Sequence, residues 1–335
     1  MLSKEQVKKI CAGIKNARIG IIGDFCIDIY WHADMRKSEL SRETPHYPLP
    51  IVGERVYLGA GGNVAANLAA LAPKELFAVS LIGGDWRGML MEDIFEKSGM
   101  NRDFVIKAPD RFTNAYCKPL RKGISELEYE DPRLDFGNYE PISKETEDRV
   151  IENLRKVAEN IDVLCVADQF MFGIITKHVR DEIIALARAG LTVVADSRCG
   201  IGEYTDCILK PNEVECWRAV YNNEGYADAG YDEFIEAAKL LAKKNRSTVF
   251  CTLGKRGSAV TDGNVAETVE AVLYKGEIDI CGAGDTSLSA FSAALAAKAD
   301  FKTAAEFASL ASGVTVRKIG VTGTASPEEI EALAK

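Results

Sequence analysis

The chain has 335 residues, with 50 Asp plus Glu against 41 Lys plus Arg, a net charge of -9 and 47% hydrophobic residues. Gripping a polyanion or an anionic membrane surface through bulk charge needs many cations close to phosphates, so neither a nucleic-acid partner nor a membrane partner is expected. A chain of this length can bury most of its apolar surface in one large α/β unit, and a single domain over residues 1–335 is the expectation.

The opening stretch, MLSKEQVKKI, mixes charges into its apolar positions, unlike a signal peptide, and no segment has the uncharged apolar length of a membrane span. A cytoplasmic location is therefore expected. An amphipathic helix over 3–16 leads into a β-branched run at 18–23 that reads as a buried strand. From 24 to 57 aromatics, alternating residues and Pro45, Pro48 and Pro50 replace any helical period, which points to extended chain and edge strands. A small-residue helix follows at 63–71, then a strand at 77–82 and a helix at 88–98. A second irregular stretch runs from 110 to 139, with strands at 115–120 and 125–129. These two stretches read as insertions that form one small lid.

After Pro141 the pattern becomes regular, with helices at 143–159, 176–189 and 232–243 and strands at 163–167, 192–196, 207–209 and 248–252. Buried strands alternating with amphipathic helices indicate a mostly parallel sheet covered on both faces. Helices at 284–298 and 302–318 and a short one from Pro327 close the chain. Nine cysteines (Cys11, Cys26, Cys117, Cys165, Cys199, Cys207, Cys216, Cys251 and Cys281) are scattered without a C-x-x-C pair, which suits reduced, buried thiols better than disulfides or zinc. His32, His46 and His178 have no metal-ligand spacing and read as surface or packing residues.

Ligands of a parallel sheet collect beyond the carboxyl ends of its strands. Polar residues sit in such places at Gly23-Asp24-Phe-Cys-Ile-Asp28, Gly59-Ala-Gly61-Gly-Asn63, Lys210-Pro-Asn212-Glu-Val-Glu215 and Thr252-Leu-Gly254-Lys-Arg-Gly257. The strongest signal is Asp279-Ile-Cys-Gly282-Ala283-Gly284-Asp285, a glycine-rich turn before an Ala-rich helix. Gly282, Ala283 and Gly284 can present successive amides at a helix N-terminus, where unpaired donors and the helix dipole favour an anion. Asp285 beside them suits a base that takes a proton from a hydroxyl while the amides hold a transferring phosphoryl group. On those residues alone, a permissive turn with a helix-favouring Asp stands level with this reading. No G-x-x-x-x-G-K-[ST] is present, and neither Gly59-Ala-Gly61 nor Gly282-Ala-Gly284 extends to G-x-G-x-x-G, so P-loop and dinucleotide-binding classes fall away.

Taken together, these residues resemble the ribokinase-like (PfkB) carbohydrate kinase family. Asp279 to Asp285 is similar to its C-terminal signature, Gly59 to Asn63 to its N-terminal glycine-rich signature, and Asn212 with Glu215 to its N-x-x-E motif. The likeness runs from about Arg18 to the C-terminus. Within the family the D-glycero-D-manno-heptose-7-phosphate kinase group is most similar, through residues 23–31, 41–50 and 133–136, Lys318 to Gly320, and Ser326-Pro327. His46, Asn114 and Gln169 to Phe172 depart from that group's pattern, with a Glu and two Lys missing.

The resemblance implies a ribokinase-like three-layer α/β/α fold with a mostly parallel central sheet and a small β lid. It implies transfer of the ATP γ-phosphate to a hydroxyl of a sugar or sugar phosphate, with Asp285 as base and Gly282 to Gly284 as anion hole. Asn212 and Glu215 would organise phosphates and Mg²⁺, Glu215 as the metal ligand. Thr252, Gly254, Gly257 and Ser309 would line the nucleotide site. Asp28, Gly61 and Asn63, with Arg133 and Asp135 from the lid, would meet the sugar. A monovalent cation such as K⁺ and a homodimer paired through the lids also follow from the family pattern. A nucleoside kinase of the same fold and a catalytically silent sugar-binding regulator are the competing readings. Cys281 stands where Thr is usual and is expected to pack, with activity surviving Cys281→Thr; Ala60 stands where a second glycine is usual.

Overall fold

The computed structural model describes every residue except Glu126 and Cys199. In chain order, the elements are α1 (Lys4–Ile14), β1 (Arg18–Gly23), β2 (Phe25–Asp34), β3 (Ile51–Ala60), α2 (Gly61–Ala70), β4 (Glu75–Gly83), α3 (Trp86–Ser98), β5 (Val105–Ala108), β6 (Asn114–Lys122), β7 (Glu128–Glu130) and β8 (Leu134–Phe136). Then come α4 (Lys144–Ala158), β9 (Val163–Asp168), α5 (Lys177–Arg188), β10 (Thr192–Ser197), β11 (Ile208–Leu209), α6 (Glu213–Tyr221), α7 (Tyr231–Asn245), β12 (Val249–Thr252), β13 (Ser258–Thr261) and β14 (Ala266–Val269). The chain closes with α8 (Ala283–Ala296), α9 (Phe301–Thr315) and α10 (Pro327–Leu333).

Two sheets organise these elements. The larger has nine strands in the order β14-β13-β12-β11-β10-β9-β1-β4-β5. It is parallel from β5 to β12 and antiparallel at β12, β13 and β14. Side-chain alternation divides its interior in two. Ile19 and Ile21 of β1 and Val163, Cys165 and Ala167 of β9 pack with α1, α2, α8 and α9, whereas Ile22, Leu164 and Val166 pack with α4, α5 and α7. Helices on both faces make three layers, and such burial explains the near-continuous apolar strands.

The smaller sheet pairs β3-β2-β6-β7, with β8 also on β6. Its strands come from the two irregular stretches of sequence. Even-numbered positions of β2 (Asp28, Tyr30, His32) share one face, while Ile27 and Ile29 enter the core on the other, beside Ala115, Cys117 and Leu58.

Several short elements lay below the resolving power of periodicity. The β13–β14 hairpin turns on Asp262-Gly263-Asn264, a two-strand signal that the sequence reading passed over. Helix α6 begins at the capping pair Asn212/Glu215, and β5 and β8 were also not expected. Of the strand expected at 125–129, Glu126 lies outside the described residues, and the observed β7 starts at Glu128. Seven cysteines are buried free thiols as expected; Cys199 lies outside the described residues. Cys281 is exposed, so its expected packing role is corrected: it sits in the open turn before α8 rather than under a helix. Among the described residues no helix is long and apolar enough to cross a membrane.

Candidate active site

The N-terminus of α8 meets the N-terminal part of α2 through side chains. Gly282, the N-cap of α8, has φ +77°, and a Cβ there would stand 2.7 Å from Asn63 Nδ2. Both facts demand glycine at that position. Asn63 Nδ2 donates to Asp285 Oδ2 at 2.7 Å. Behind it Thr286 Oγ1 donates to Asn67 Oδ1 at 2.9 Å, and Asn67 Nδ2 donates to Asn63 Oδ1 at 3.2 Å. This relay fixes the Asn63 amide so that its NH₂ faces the carboxylate. Burial pushes Asp285 up to about 6, against the lowering effect of the Asn63 bond.

The amide of Ala283 is engaged with the Ile280 carbonyl at 3.2 Å. The expected three-amide hole is therefore corrected: within this turn the amides for which no acceptor is found among the described residues are those of Gly282, Gly284 and Asp285. The tight turn that positions Gly282 spends the Ala283 donor. A Cβ at Gly284 would lie 3.9 Å from Lys210 Nζ, which places a buried ammonium against the first helical turn. Lys210 follows β11 and pairs with Asp196 of β10 at 2.9 Å, both side chains being buried. Its charge is favoured by Asp196, Glu215 and Asp285 despite desolvation.

Asn212 and Glu215 form a reciprocal capping box on α6: Glu215 N donates to Asn212 Oδ1 at 2.8 Å and Asn212 N to Glu215 Oε2 at 2.9 Å. Burial and the Asp196 charge raise the Glu215 carboxyl, with Lys210 opposing them. Structural capping and a place at the charged end of the sheet thus coexist in the same pair. Thr252 bridges to Asn212 at the end of β12, and Gly254 and Gly257, with φ of +56° and +90°, carry the turn into β13. Ser309, on α9, donates its hydroxyl to the Glu270 carbonyl at 2.9 Å.

On the smaller sheet Asp28 lies opposite Tyr57 of β3 and Tyr116 of β6, and Tyr116 lies opposite Asp135 of β8. Arg133 pairs with Asp135 at 3.0 Å and stacks on Tyr116 at 5.0 Å. Lys118 Nζ donates to Tyr30 Oη at 3.0 Å and lies 3.7 Å from Asp28 Oδ1. Asp28 is 6% exposed, yet its Oδ1 has no hydrogen-bond partner. Burial raises Asp28, with Lys118 and Arg133 opposing the shift. With only the longer ion-pair contact to Lys118, this buried oxygen keeps its hydrogen-bonding capacity open. Gly61 is different: its amide donates to the Asp24 carbonyl at 2.8 Å, and a Cβ there would meet that same oxygen at 2.9 Å. Asp24 in turn accepts from the amides of Gln169, Phe170 and Ile174.

The structure therefore gathers Asn63, Gly282, Gly284 and Asp285 at one point, Lys210, Asn212 and Glu215 beside it, and Asp28, Arg133 and Asp135 on the facing sheet. The Asp28 charge adds a small part to the upward shift of Asp285. Sequence reasoning placed Lys210 and Thr286 in candidate segments without giving them roles, and it missed Asp196, Asn67 and Lys118. Asn67 was findable as the i+4 partner of Asn63, and Lys118 as the i+2 neighbour of Tyr116 on one strand face. Cys281 does not acquire an acidic thiol from the turn: burial and the nearby carboxylates of Asp279, Asp28 and Asp285 raise it, with Lys118 opposing. Among the described residues no three His, Cys, Asp or Glu side chains group as a metal site.

Known proteins share this arrangement at the level of family and fold. A bifunctional protein HldE from Geotalea uraniireducens is 29% identical over 340 residues, covering 98% of this chain and 65% of that protein. HldE from Geobacter sulfurreducens is 30% identical over 328 residues, covering 95% of this chain and 63% of its own length. The chain thus spans somewhat less than two thirds of these relatives. Among solved structures, Arabidopsis thaliana ribokinase complexed with ribose and ATP superposes with a TM-score of 0.72 at 20% identity, covering 96% of this chain and 99% of that one. Phosphofructokinase-2 from Escherichia coli in complex with fructose-6-phosphate gives 0.72 at 18% identity, covering 95% and 98%. The fold is the ribokinase-like α/β fold. The family model described as pfkB family carbohydrate kinase matches residues 21–329, and the chain belongs to that family of phosphotransferases acting on sugar hydroxyls.

Proposed function

We propose that the protein transfers the γ-phosphate of ATP to a hydroxyl of a sugar phosphate, with heptose 7-phosphate the first candidate acceptor. The observation that carries the chemistry is Asp285, a desolvated carboxylate raised to about 6 and aimed by Asn63 at the mouth of an N-terminal helical turn with spare amides. A base with a raised pKa accepts a hydroxyl proton more readily, and the turn holds the charge of the transferring group. Lys210 lies where it can contact the same phosphoryl oxygens. Asn212, Glu215, Thr252, Gly254, Gly257 and Ser309 mark the nucleotide side.

Mg²⁺ keeps several waters and is commonly held by one or two carboxylates plus substrate phosphates, and Glu215, with one oxygen held by the Asn212 amide, fits that mode better than a protein-built cage. Held by Glu215, the ion would supply charge neutralisation at the transferring phosphate. The protein's own part is to hold the acceptor between Asp28 and Asp285, orient it through Asn63, and exclude water beneath the five-stranded sheet, acting as a lid.

A phosphorylated acceptor is supported by cations that stand in for the lysines missing near Asn114 and Asp168. Lys118 lies 3.7 Å from Asp28, and Arg133, paired with Asp135, adds its positive charge to the field at Asp28. The relatives named HldE point to a heptose, and the exposed edges of β3 and β7 suit pairing of two lids in a homodimer. ADP release with heptose 7-phosphate, fructose 6-phosphate, ribose and adenosine tests the reading, with Asp285→Asn as control. Turnover above that control with the sugar phosphates is expected. Release no greater than the control with every acceptor, while sugars still bind, would leave only a sugar-binding role.

A further inference from the structure

The anion-binding turn is approached by a segment without regular structure between β14 and α8, so something must hold its backbone in place. Asp279 does part of this: its Oδ1 accepts from Cys281 N at 2.9 Å and its Oδ2 from Gly320 N at 2.9 Å. Gly320, with φ +71°, turns its carbonyl the other way, and Arg55 Nη1 of β3 donates to it at 3.2 Å. Arg55 Nε also donates to His32 Nε2 of β2 at 3.0 Å. An accepting Nε2 carries no proton, so the ring proton is on Nδ1 and donates to Glu128 Oε1 of β7 at 2.8 Å. The guanidinium lies 5.4 Å from the centre of the Tyr30 ring, whose hydroxyl accepts from Lys118.

One side chain thus joins three strands of the smaller sheet to the loop after α9, and that loop to the residue preceding Gly282. We propose that Arg55 is a positioning residue that couples the seating of the five-stranded sheet to the shape of the anion-binding turn. Its guanidinium hydrogens go to the Gly320 carbonyl and the His32 ring. It acts through Gly320 and Asp279 on the Cys281 amide, and hence on where Gly282 and Gly284 present their donors. A planar guanidinium can serve the ring nitrogen and the carbonyl at once from a fixed fork, which an ammonium cannot do. The coupling rests on the phosphotransfer reading for its consequence, but its physical content can be read without any substrate.

The test is amide hydrogen exchange on the ligand-free protein, followed by kinetics with the best acceptor of the panel. In Arg55→Met, exchange at Gly320 and Cys281 should quicken by about tenfold or more while β1 and β9 keep their protection, as expected of a local opening. The kcat should fall about tenfold with the KM for ATP within about twofold, because an effect confined to the transition state appears in kcat. Arg55→Lys should recover part of the loss at Gly320 but none at His32. Should Arg55→Met fail to fold, His32→Leu, which removes the acceptor and leaves Arg55 in place, should give the same exchange pattern in weaker form. Unchanged exchange at Gly320 and Cys281, or a rise shared equally by β1 and β9, overturns the coupling. So does faster exchange with kcat unaltered. A wild-type protein that phosphorylates nothing defeats the phosphotransfer reading instead, and leaves the exchange result to decide the coupling by itself.

Discussion

In the nine-stranded sheet β1, β9 and β10 are buried along almost their whole length, whereas in the five-stranded sheet β6 alternates buried with half-buried residues and β7 is exposed throughout. The two sheets also carry different polar groups. The end of the first gathers Lys210, Asp196, Glu215 and Asp285, the groups proposed for the chemistry, whose charges act on one another. One face of the second carries Asp28, Tyr30, Tyr116, Lys118 and Asp135, spread over three strands and proposed to meet the sugar. A parallel sheet with helices on both faces gives rigid strand ends, good for placing charges to fractions of an ångström. A small sheet with one polar face can change its side chains without disturbing a core, so it suits the setting of specificity.

That division predicts that substitutions at the two sheets act on different kinetic constants. The largest effect belongs to the first. Asp285→Asn should lower kcat by about 10²–10⁴-fold, the usual contribution of a positioned base. In the wild type, kcat/KM should fall as pH drops through about 6, where the Asp285 carboxylate takes up its proton. The same group has a stability consequence. Its folded pKa is raised from 3.8 to about 6, so the folded state resists ionisation; the penalty is absent below 3.8 and fully present above 6. Asp285→Asn should therefore melt higher than wild type at pH 8, with the gap closing by pH 4. An Asn variant that is inactive and also less stable at pH 8 would show that the carboxylate supports the fold rather than straining it.

The recognition sheet should respond in KM. Lys118→Met should raise the KM for the sugar substrate by about tenfold to a hundredfold, in line with the ~1.5–3 kcal/mol of a hydrogen bond to a charged group. The KM for ATP should stay within about twofold. If both constants moved together, or if kcat alone fell, Lys118 would belong with the catalytic cluster and the separation between the sheets would fail. Comparing a sugar with its phosphate sharpens this further: loss confined to the phosphorylated acceptor assigns the ammonium to the phosphate, and equal loss assigns it to holding Asp28.

How much of this was legible in the chain follows the same line. Arg18 to Gly23 and Val163 to Asp168 announce themselves as apolar β-branched runs, and Gly282-Ala-Gly-Asp285 as a helix start with spare donors, because local composition fixes both. Asn63 and Asp285 could be named individually, but their bond could not, since it depends on α2 and α8 crossing 222 residues apart in sequence. Lys118 was invisible because a lysine on a half-buried strand reads as a solvated edge until β2 is seen beside it. Lys210 stood at the head of a candidate segment but received no role of its own, because its burial against Asp196 comes only from the β10–β11 pairing. Ala283 was wrongly counted as a free donor because the tightness of a turn is not written in its residue types.

The smallest expected effect lies at the junction of the two sheets. Ala60 ends β3 and caps α2 with φ +50° and ψ -132°, a backbone region that an L-residue with a Cβ rarely adopts. Such a residue costs about 1–3 kcal/mol. Glycine would relieve that strain, though it adds about 0.4–1 kcal/mol of unfolded-state entropy to be lost on folding. The balance favours Ala60→Gly by about 1 kcal/mol, or roughly 2 °C in Tm for a chain this long. Function should move in the opposite sense. Ala60 is five residues from Arg55 along β3, and its strained torsion is expected to restrict the angle between the small sheet and α2. A glycine there widens the range of angles, so Ala60→Gly should raise the KM for sugar slightly and leave the KM for ATP alone. A variant that melts higher and binds sugar more tightly would mean that the strain opposes closure instead of limiting it, and the junction would then be a spring rather than a stop.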